Sequence, residues 1–312
     1  MGYAMVLGEA LIDLLEADLD GELIYRQAIG GAPLNVAVGV SRLGGEVQYG
    51  GTLSDDVLGD RIAAFLRDAG VGRASVRRVP VSTTLAVTTF EGAEPTFTFY
   101  GEPPSYALLG PGDLDLAAVG GAAVLYTGSI CLLREPFRAA ARSAWATAGP
   151  LRVFDPNVRP TLLPDAAAID ALRDLVEEFF ATADLVKLSA ADAVVLYGEN
   201  DPAAAAQRIR ALGAGAVVVT CGSAGAHVAT ADGAETLPAP AVAAIDATGA
   251  GDSVMAALIR RLLDEGLPTD LAGWQRHVRF ALAVAGLVCE RKGGATAMPT
   301  PAELTSRWGA LL

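Results

Sequence analysis

The sequence of 312 residues is poor in histidine, cysteine and aromatic residues. Its two histidines leave little room for a histidine-rich metal site or a catalytic triad. Its three cysteines, Cys131, Cys221 and Cys289, lie far apart, so they predict neither a disulfide framework nor a CxxC metal site, and we expect them to be small apolar core residues. Hydrophobic residues still make up 52% of the chain, which is enough for a large core and argues against disorder.

Positive charge and long apolar runs are also scarce. Lys and Arg number 23 against 36 Asp and Glu, giving a formal net charge of −13, whereas a protein that binds a phosphate backbone needs clustered cations. The longest apolar stretches, such as residues 122–133, carry Gly and Ser and are too short to span a bilayer. The first residues lack the charged segment and cleavage site of a signal peptide. We therefore expect a soluble, cytoplasmic protein that binds neither nucleic acid nor membranes.

Short apolar segments bounded by turn residues alternate along the chain with helical patterns. The predicted strands are residues 5–7, 48–52, 124–127, 151–155, 185–188 and 216–220. The predicted helices are residues 34–43, 56–69, 136–148, 166–181, 203–212, 249–263 and 274–289. Continuously apolar strands are typical of a parallel sheet covered on both faces. The alternation predicts an α/β fold with a doubly wound, mostly parallel sheet flanked by helices.

Two segments interrupt this alternation with a period of two residues. Residues 84–90 and 95–100 flank the turn 91–94 and predict a hairpin, and residues 23–29 predict a further strand. A hairpin inserted into an α/β chain is interpreted as a lid, which would keep water away from a reacting phosphate. The alternative is an edge hairpin of the main sheet.

The segment with the most chemical content opens the helix predicted at 249–263. It reads Asp246-Ala247-Thr248-Gly249-Ala250-Gly251-Asp252. Glycines at a helix start let backbone N–H groups approach an anion, and the helix dipole favours negative charge there. An Asp in the same turn makes sense if it faces an acceptor hydroxyl and removes its proton, while the amides stabilise a transferring phosphoryl group. Standing alone, the segment could also be a plain glycine-rich helix start.

Other polar or glycine-rich junctions follow predicted strands or open predicted helices. They are Gly30-Gly31-Ala32-Pro33-Leu34-Asn35, Asp155-Pro156-Asn157-Val158-Arg159-Pro160, Ser189 with Asp192, Val219 to Gly225, and Arg291-Lys292-Gly293-Gly294. Asn35 offers a donor and acceptors, which suits a polyol. Arg159 comes just after a strand, where parallel sheets bind ligands. Ser189 and Asp192 have the spacing of a helix cap, and each of the other junctions could be an ordinary loop or helix end.

Taken in order, these motifs resemble those of the ribokinase-like (PfkB) carbohydrate kinases over essentially the whole chain. The resemblance implies one ribokinase-like α/β domain over 1–312, with a small β-sheet lid from about 14–29 and 84–100. It implies Asp252 as catalytic base and Gly249, Ala250 and Gly251 as an anion hole. It further implies sugar contacts from Asp13, Gly31, Asn35 and Arg159.

The same resemblance implies an ATP site and metal sites. The residues it assigns to ATP are Lys187, Thr220, Gly222, Gly225, Gly293 and Gly294. Asp246 and Thr248 match the position of a monovalent cation, K⁺, and Asp192 would hold Mg²⁺ through water. ATP and Mg²⁺ are thus the expected cofactors, a small sugar is the expected partner, and the lid offers a surface for a homodimer.

Within that family, three stretches are similar to fructokinases, so fructose phosphorylated at its 6-hydroxyl is the specific expectation. They are residues 8–13, residues 128–130 with 135–136, and residues 155–160. The chain departs from fructokinases after Tyr100, where Gly101-Glu102 replaces a basic residue. The alternatives are a 2-keto-3-deoxygluconate kinase, which would want more cations in the lid, a nucleoside kinase, and a non-catalytic sugar-binding relative. P-loop and dinucleotide-binding enzymes are disfavoured because GxxxxGK[ST] is absent and the first strand is not followed by GxGxxG.

Overall fold

A computed structural model describes residues 2–91 and 94–309, and within them thirteen strands and ten α-helices follow one another. The strands are β1 Ala4–Leu7, β2 Leu11–Leu19, β3 Glu22–Gly30, β4 Val47–Ser54, β5 Gly72–Val79, β6 Leu85–Glu91, β7 Glu94–Tyr100, β8 Val124–Gly128, β9 Leu151–Asp155, β10 Leu185–Ser189, β11 Ala216–Thr220, β12 Ala226–Thr230 and β13 Gly233–Leu237. The helices are α1 Ala32–Arg42, α2 Val57–Asp68, α3 Leu116–Gly120, α4 Phe137–Trp145, α5 Ala166–Phe180, α6 Ala190–Tyr197, α7 Pro202–Leu212, α8 Ala250–Glu265, α9 Leu271–Cys289 and α10 Pro301–Trp308.

Nine strands form the main sheet, in the order β13-β12-β11-β10-β9-β8-β1-β4-β5. The seven strands from β11 to β5 pair in parallel, and β12 and β13 add two antiparallel pairings at one edge. The chain leaves β1 toward β4 on one side and later returns to β8 on the other. Such a switch point opens a crevice at the carboxyl ends of the strands, where ligands bind in sheets of this kind. The predicted doubly wound, mostly parallel sheet is confirmed.

The main sheet is buried on both faces because its central strands carry apolar residues at consecutive positions. Val6 of β1 packs in a core cluster with α1, α8 and α9. Its neighbours Met5 and Leu7 pack in a second cluster with α4, α5 and α7. Side chains that alternate in direction along a strand therefore serve two cores, as a parallel sheet covered by helices requires.

Four strands form a separate small sheet in the order β3-β2-β6-β7. Strands β2 and β6 pair in parallel, and each has an antiparallel partner, β3 and β7 respectively. The hairpin is therefore not an edge of the main sheet, and that alternative is wrong. The strand β2 begins at Leu11, three residues before the predicted start of the lid at 14. Of the predicted turn 91–94, residues 92 and 93 lie outside the described residues.

Some elements carry no clear sequence signal. Strand β5 lies at the edge of the main sheet, and β12, β13 and the short helices α3 and α10 were not predicted either. Cys131 is buried as expected, whereas Cys221 and Cys289 are only half-buried, and all three are free thiols. Among residues 2–91 and 94–309, no helix combines the length and apolar character needed to cross a membrane.

Candidate active site

The segment 246–252 forms the start of helix α8. Gly249 is the N-cap residue, with φ of 76°, and Ala250, Gly251 and Asp252 form the first turn. A residue with a side chain is strained at such a positive φ, and a Cβ at Gly249 would also lie 2.7 Å from the Cα of Gly294. Among the described backbone carbonyls, none accepts a hydrogen bond from the N–H groups of Gly251 and Asp252. The turn thus presents unbonded donors at the positive end of the helix dipole, as an anion site requires.

Asp252 contacts the beginning of another helix. Its side chain is buried, and Asn35 Nδ2 in the first turns of α1 donates to Asp252 Oδ2 at 2.7 Å. Burial raises the pKa of Asp252, while the hydrogen bond from Asn35 and the charges of Lys187 and Arg159 oppose that rise. The result is a carboxylate that is more basic than an exposed one and is held by an amide.

A buried ion pair lies beside this turn. Lys187 of β10 donates from Nζ to Oδ2 of Asp155, the last residue of β9, at 2.8 Å, and both side chains are almost fully buried. Burial alone would lower the pKa of Lys187, but Asp155 and the further carboxylates of Asp192 and Asp252 raise it, so the amine stays charged. A Cβ built on Gly251 would lie 3.0 Å from Lys187 Nζ, so the cation faces the first turn of α8.

The predicted sugar-binding residues come from three segments: β2, the start of α1 and the loop after β9. Asp13 lies in β2 of the small sheet, against Gly30, and Gly31 is the N-cap residue of α1. Burial raises the pKa of Asp13 to about 6, the charge of Arg159 opposes the rise and that of Asp252 adds to it. Arg159 is exposed, and its Nη1 donates to Asn157 Oδ1 at 2.6 Å. The charged side chains of Asp13, Arg159 and Asp252, predicted from distant motifs, are therefore within electrostatic reach of one another.

The glycines predicted to border ATP fall into two places. Gly294 lies between Gly249 and Asn35, since a Cβ built on it would be 3.1 Å from Asn35 Nδ2. Gly293 donates its N–H to Asp246 Oδ2 at 3.0 Å. The turn with Gly222 and Gly225 follows β11, whose last residue, Thr220, is the registered partner of Ser189 in β10. Both glycines have a positive φ, but Gly222 has open space where a side chain would be, whereas Gly225 is crowded by the backbone of Leu237.

The two carboxylates assigned to cation sites, Asp246 and Asp192, already accept hydrogen bonds from other groups of the protein. Asp246 accepts from the N–H groups of Thr248 and Gly293. Burial would raise its pKa, but those hydrogen bonds prevail and hold the pKa below the usual value. Asp192 accepts from Val158 N, Ser189 N and Ser189 Oγ at 2.8–2.9 Å, which is the predicted capping box with an extra backbone bond. Three of about four acceptor positions of that carboxylate are occupied, which leaves one for a water.

A cavity of ≈ 650 Å³ lies between the small sheet and the body of the protein. Phe99, Glu102, Tyr106, Ile130 and Arg134 contribute to its lining. Phe99 is the registered partner of Ala86, and Ala86 is in turn the partner of Asp13, so the cavity adjoins the predicted sugar site. Glu102 forms a 3.8 Å ion pair with Arg134. The guanidinium of Arg134 therefore lies beside Glu102 near the small sheet, although no basic residue directly follows Tyr100 in the sequence.

Sequence reasoning missed two acidic residues of this region. Asp155 was quoted within a motif but given no role, although it holds Lys187. Glu9, two residues after the end of β1, is buried and was given no role either. A carboxylate placed straight after an apolar strand of a parallel sheet is the signal that would have pointed to both.

Comparison with known proteins bears on what this site does. The family model described as pfkB family carbohydrate kinase matches residues 1–301. A fructokinase from Klebsiella pneumoniae is 36% identical over 304 residues, covering 96% of each protein. The crystal structure of fructokinase with bound ATP from Xylella fastidiosa shares 29% identity over 97% of each chain, with a TM-score of 0.88. That of fructokinase from Vibrio cholerae O395 with fructose, ADP and calcium ion bound shares 30% identity over 98% of each chain, with a TM-score of 0.86.

Proposed function

This chain belongs to the pfkB family of carbohydrate kinases, and from that premise we propose that it transfers the γ-phosphoryl group of ATP to the 6-hydroxyl of fructose. The observation that carries the proposal is the buried Asp252 carboxylate, held by Asn35 at a helix start with unbonded N–H groups and a buried lysine. The 36% identity to a fructokinase supports fructose as the acceptor.

The chemistry follows from these positions. Asp252 takes the proton of the acceptor hydroxyl as the oxygen attacks the γ-phosphorus, and the bond from that phosphorus to the bridging oxygen of ADP breaks. The N–H groups of Gly251 and Asp252, with the Lys187 ammonium, stabilise the negative charge on the transferring group. Asp13, Gly31, Asn35 and Arg159 hold the sugar, and the Oδ1 atom of Asn35, which is buried without a partner among the described residues, is free to accept a hydroxyl.

On the nucleotide side, Thr220, Gly222, Gly225, Gly293 and Gly294 border ATP. The small sheet acts as a lid of a single domain that spans 1–312, because closure over the site would exclude water from the phosphoryl group. We also propose that the protein is located in the cytoplasm.

A substrate panel tests the proposal directly. Purified protein with ATP is offered fructose, 2-keto-3-deoxygluconate and a set of nucleosides, and ADP release is measured together with ³¹P NMR of the product. We expect the highest kcat/KM with fructose and a 6-phosphate product. A higher kcat/KM for the acid sugar or a nucleoside would contradict fructose but leave the kinase intact. Sugar binding without ADP release would instead indicate a non-catalytic relative.

Magnesium dependence is the first prediction. Within the described residues, no three His, Cys, Asp or Glu side chains cluster to hold a metal. We therefore propose that Mg²⁺ is carried mainly by the ATP phosphates and not by a protein cage. Bound Mg²⁺ supplies charge neutralisation of the phosphates. We expect a chelator to abolish turnover, excess Mg²⁺ to restore it, and Asp192→Ala to raise the Mg²⁺ requirement. Turnover that persists in chelator would contradict the metal requirement.

Potassium activation is a separate outcome of the same assay. Asp246 and Thr248 are proposed to border a K⁺ site, so K⁺ should activate more than Na⁺ at fixed ionic strength. Equal rates in the two salts would remove this site from the proposal.

The second prediction uses the shifted pKa of Asp13. Because that pKa lies at about 6, Asp13 is ionised above pH 6 and loses hydroxyl-accepting capacity as the pH falls through that value. Asp13→Asn should lower kcat/KM for fructose at pH 8 by about 10- to 100-fold, as loss of a charged hydrogen bond does, with little change in the KM for ATP. The ratio of wild-type to Asp13→Asn kcat/KM should shrink below pH 6. Arg159→Ala should likewise raise the KM for fructose alone.

The matched control for Asp13 is Asp170→Asn, an exposed carboxylate of α5 paired with Arg173. It should leave kcat/KM unchanged at every pH. A wild-type to Asp13→Asn ratio that stays constant from pH 5 to pH 8 would contradict the assignment.

A homodimer through the small sheet is the third prediction. Of the ten exposed large apolar side chains in the described part of the chain, five lie on this sheet: Leu15, Leu19, Leu23, Tyr25 and Tyr100. By strand register, Leu23, Tyr25 and Tyr100 lie on one face of the sheet and Leu15 and Leu19 lie on the other. An exposed apolar sheet face marks an interface, and we propose the face with Leu23. Sedimentation velocity should give a dimer for the wild type, a monomer for Leu23→Asp, and a dimer for the control Leu116→Asp, which changes an exposed leucine on α3. A wild-type monomer would contradict the proposal.

A further inference from the structure

Glu9 is a buried carboxyl group at the carboxyl end of β1. Its residue is 2% exposed, and it lies between the end of β1 and the start of the small sheet. Burial raises the pKa of Glu9, while the nearby polar side chains of Ser129 and Cys131 and the charge of Arg159 oppose that rise only in part. Burying a carboxyl group costs free energy unless its oxygen atoms have hydrogen-bond partners, so the partners of Glu9 indicate what it does at this position.

One partner of Glu9 is the helix that carries Asn35. The N–H of Ala32, the first residue of α1, donates to Glu9 Oε1 at 3.3 Å. The N-cap residue of α1 is Gly31, which has no side chain to accept from the first turn, so Glu9 supplies the capping oxygen from another part of the chain. The backbone contact is tight, because a Cβ on Gly31 would lie 2.5 Å from Glu9 O.

The loop that follows β8 is the second segment beside Glu9. Ser129 has φ of 66°, a backbone conformation that residues with side chains rarely adopt, and it lies near Glu9, whose Oε2 atom is buried without a hydrogen-bond partner among the described residues. The next residue, Ile130, lines the cavity beside the sugar site. Such strain persists only where surrounding contacts hold it, and it is common beside active sites. Glu9 therefore accepts a hydrogen bond from the start of α1 and lies near the loop after β8, two of the segments that form the site.

We propose that Glu9 is a positioning residue that fixes the first turn of α1, and through it the Asn35 amide that holds the Asp252 carboxylate. Asn35 follows Ala32 by three residues, so one turn of helix separates the capped N–H from the amide that contacts Asp252. The role that we propose for Glu9 is indirect, because it acts through α1. This inference rests on the proposed role of Asp252.

The test compares Glu9→Ala with Glu9→Gln in the fructose kinase assay. Glu9→Ala should lower kcat by about 10- to 100-fold, the effect of a misplacement of about 1 Å at a catalytic group, with the KM for ATP unchanged. Glu9→Gln keeps an oxygen for the Ala32 N–H and should restore most of kcat. Ala32→Pro removes the donor at a helix position that tolerates proline, so it should reproduce the loss with Glu9 in place.

A double-mutant cycle separates positioning from a general loss of structure. If Glu9 acts through Asn35, Glu9→Ala should lower kcat little further in the Asn35→Ala background. The control Asp201→Ala removes the side-chain cap of α7, which accepts from Ala203 N, and should shift Tm without changing kcat. Wild-type kcat in Glu9→Ala or in Ala32→Pro, or fully multiplicative losses in the cycle, would overturn the inference. An inactive wild type would instead overturn the proposed function.

Discussion

Asp252→Asn is expected to leave a folded protein whose kcat for phosphoryl transfer is about 10²- to 10⁴-fold lower, the usual loss when a general base is removed. The amide has the same shape as the carboxylate and can still accept from Asn35 Nδ2, so the contact between α1 and α8 remains. Steady-state kinetics with fructose and ATP measure the loss.

The stability of this variant provides a second readout. Burial raises the pKa of Asp252 in the folded state above its unfolded value. The folded state is therefore destabilised as the pH rises from the unfolded pKa to the folded pKa, and the full cost is present above the folded value. The neutral amide removes that cost, and Tm at neutral pH should be unchanged or higher. The matched control is Asp264→Asn in the same helix, an exposed partner of Arg260 that should keep full kcat. Wild-type kcat in Asp252→Asn would contradict the role of this carboxylate.

Gly251→Val is expected to lower kcat on the order of 10²- to 10³-fold, comparable to removal of a charge-stabilising donor. The reason is crowding at the position of the phosphoryl group and not backbone strain, because the positive φ of this turn belongs to Gly249 and not to Gly251. A Cβ at Gly251 lies 3.0 Å from Lys187 Nζ, and a valine would displace the amine from the turn. The fall in kcat should far exceed the change in Tm, measured by calorimetry.

Two other glycines calibrate that result. Gly112→Val places a side chain where nothing lies within 4 Å of the new Cβ, and should change neither kcat nor Tm. Gly249→Ala combines a positive φ with a contact to the Gly294 backbone, and should lower both. If Gly251→Val loses Tm as severely as Gly249→Ala does, the role of Gly251 is structural and the anion site is contradicted.

The fold class and the family could be predicted from the sequence, and both predictions are confirmed, while the residues assigned to the phosphate site stay a prediction. Strand and helix periodicity predicted the parallel sheet because an element buried on both faces needs consecutive apolar residues. The segment 246–252 predicted the start of α8 because the glycines and the acidic residue that indicate such a helix start are adjacent in the sequence. The Ser189 cap with Asp192 was predicted for the same reason, and it is present.

Which distant residues meet depends on the tertiary structure. Asn35 and Asp252 are separated by 217 positions, and their contact depends on α1 and α8 starting side by side at the carboxyl edge of the sheet. Lys187 meets Asp155 because β10 and β9 are neighbours in the sheet, a pairing that strand periodicity does not specify. The capping of α1 by Glu9 is likewise invisible in sequence, since a helix cap from another segment leaves no local pattern. Helix caps and glycine-rich turns can be predicted because they depend on neighbouring residues. The partners of a buried polar atom depend on strand order and helix packing.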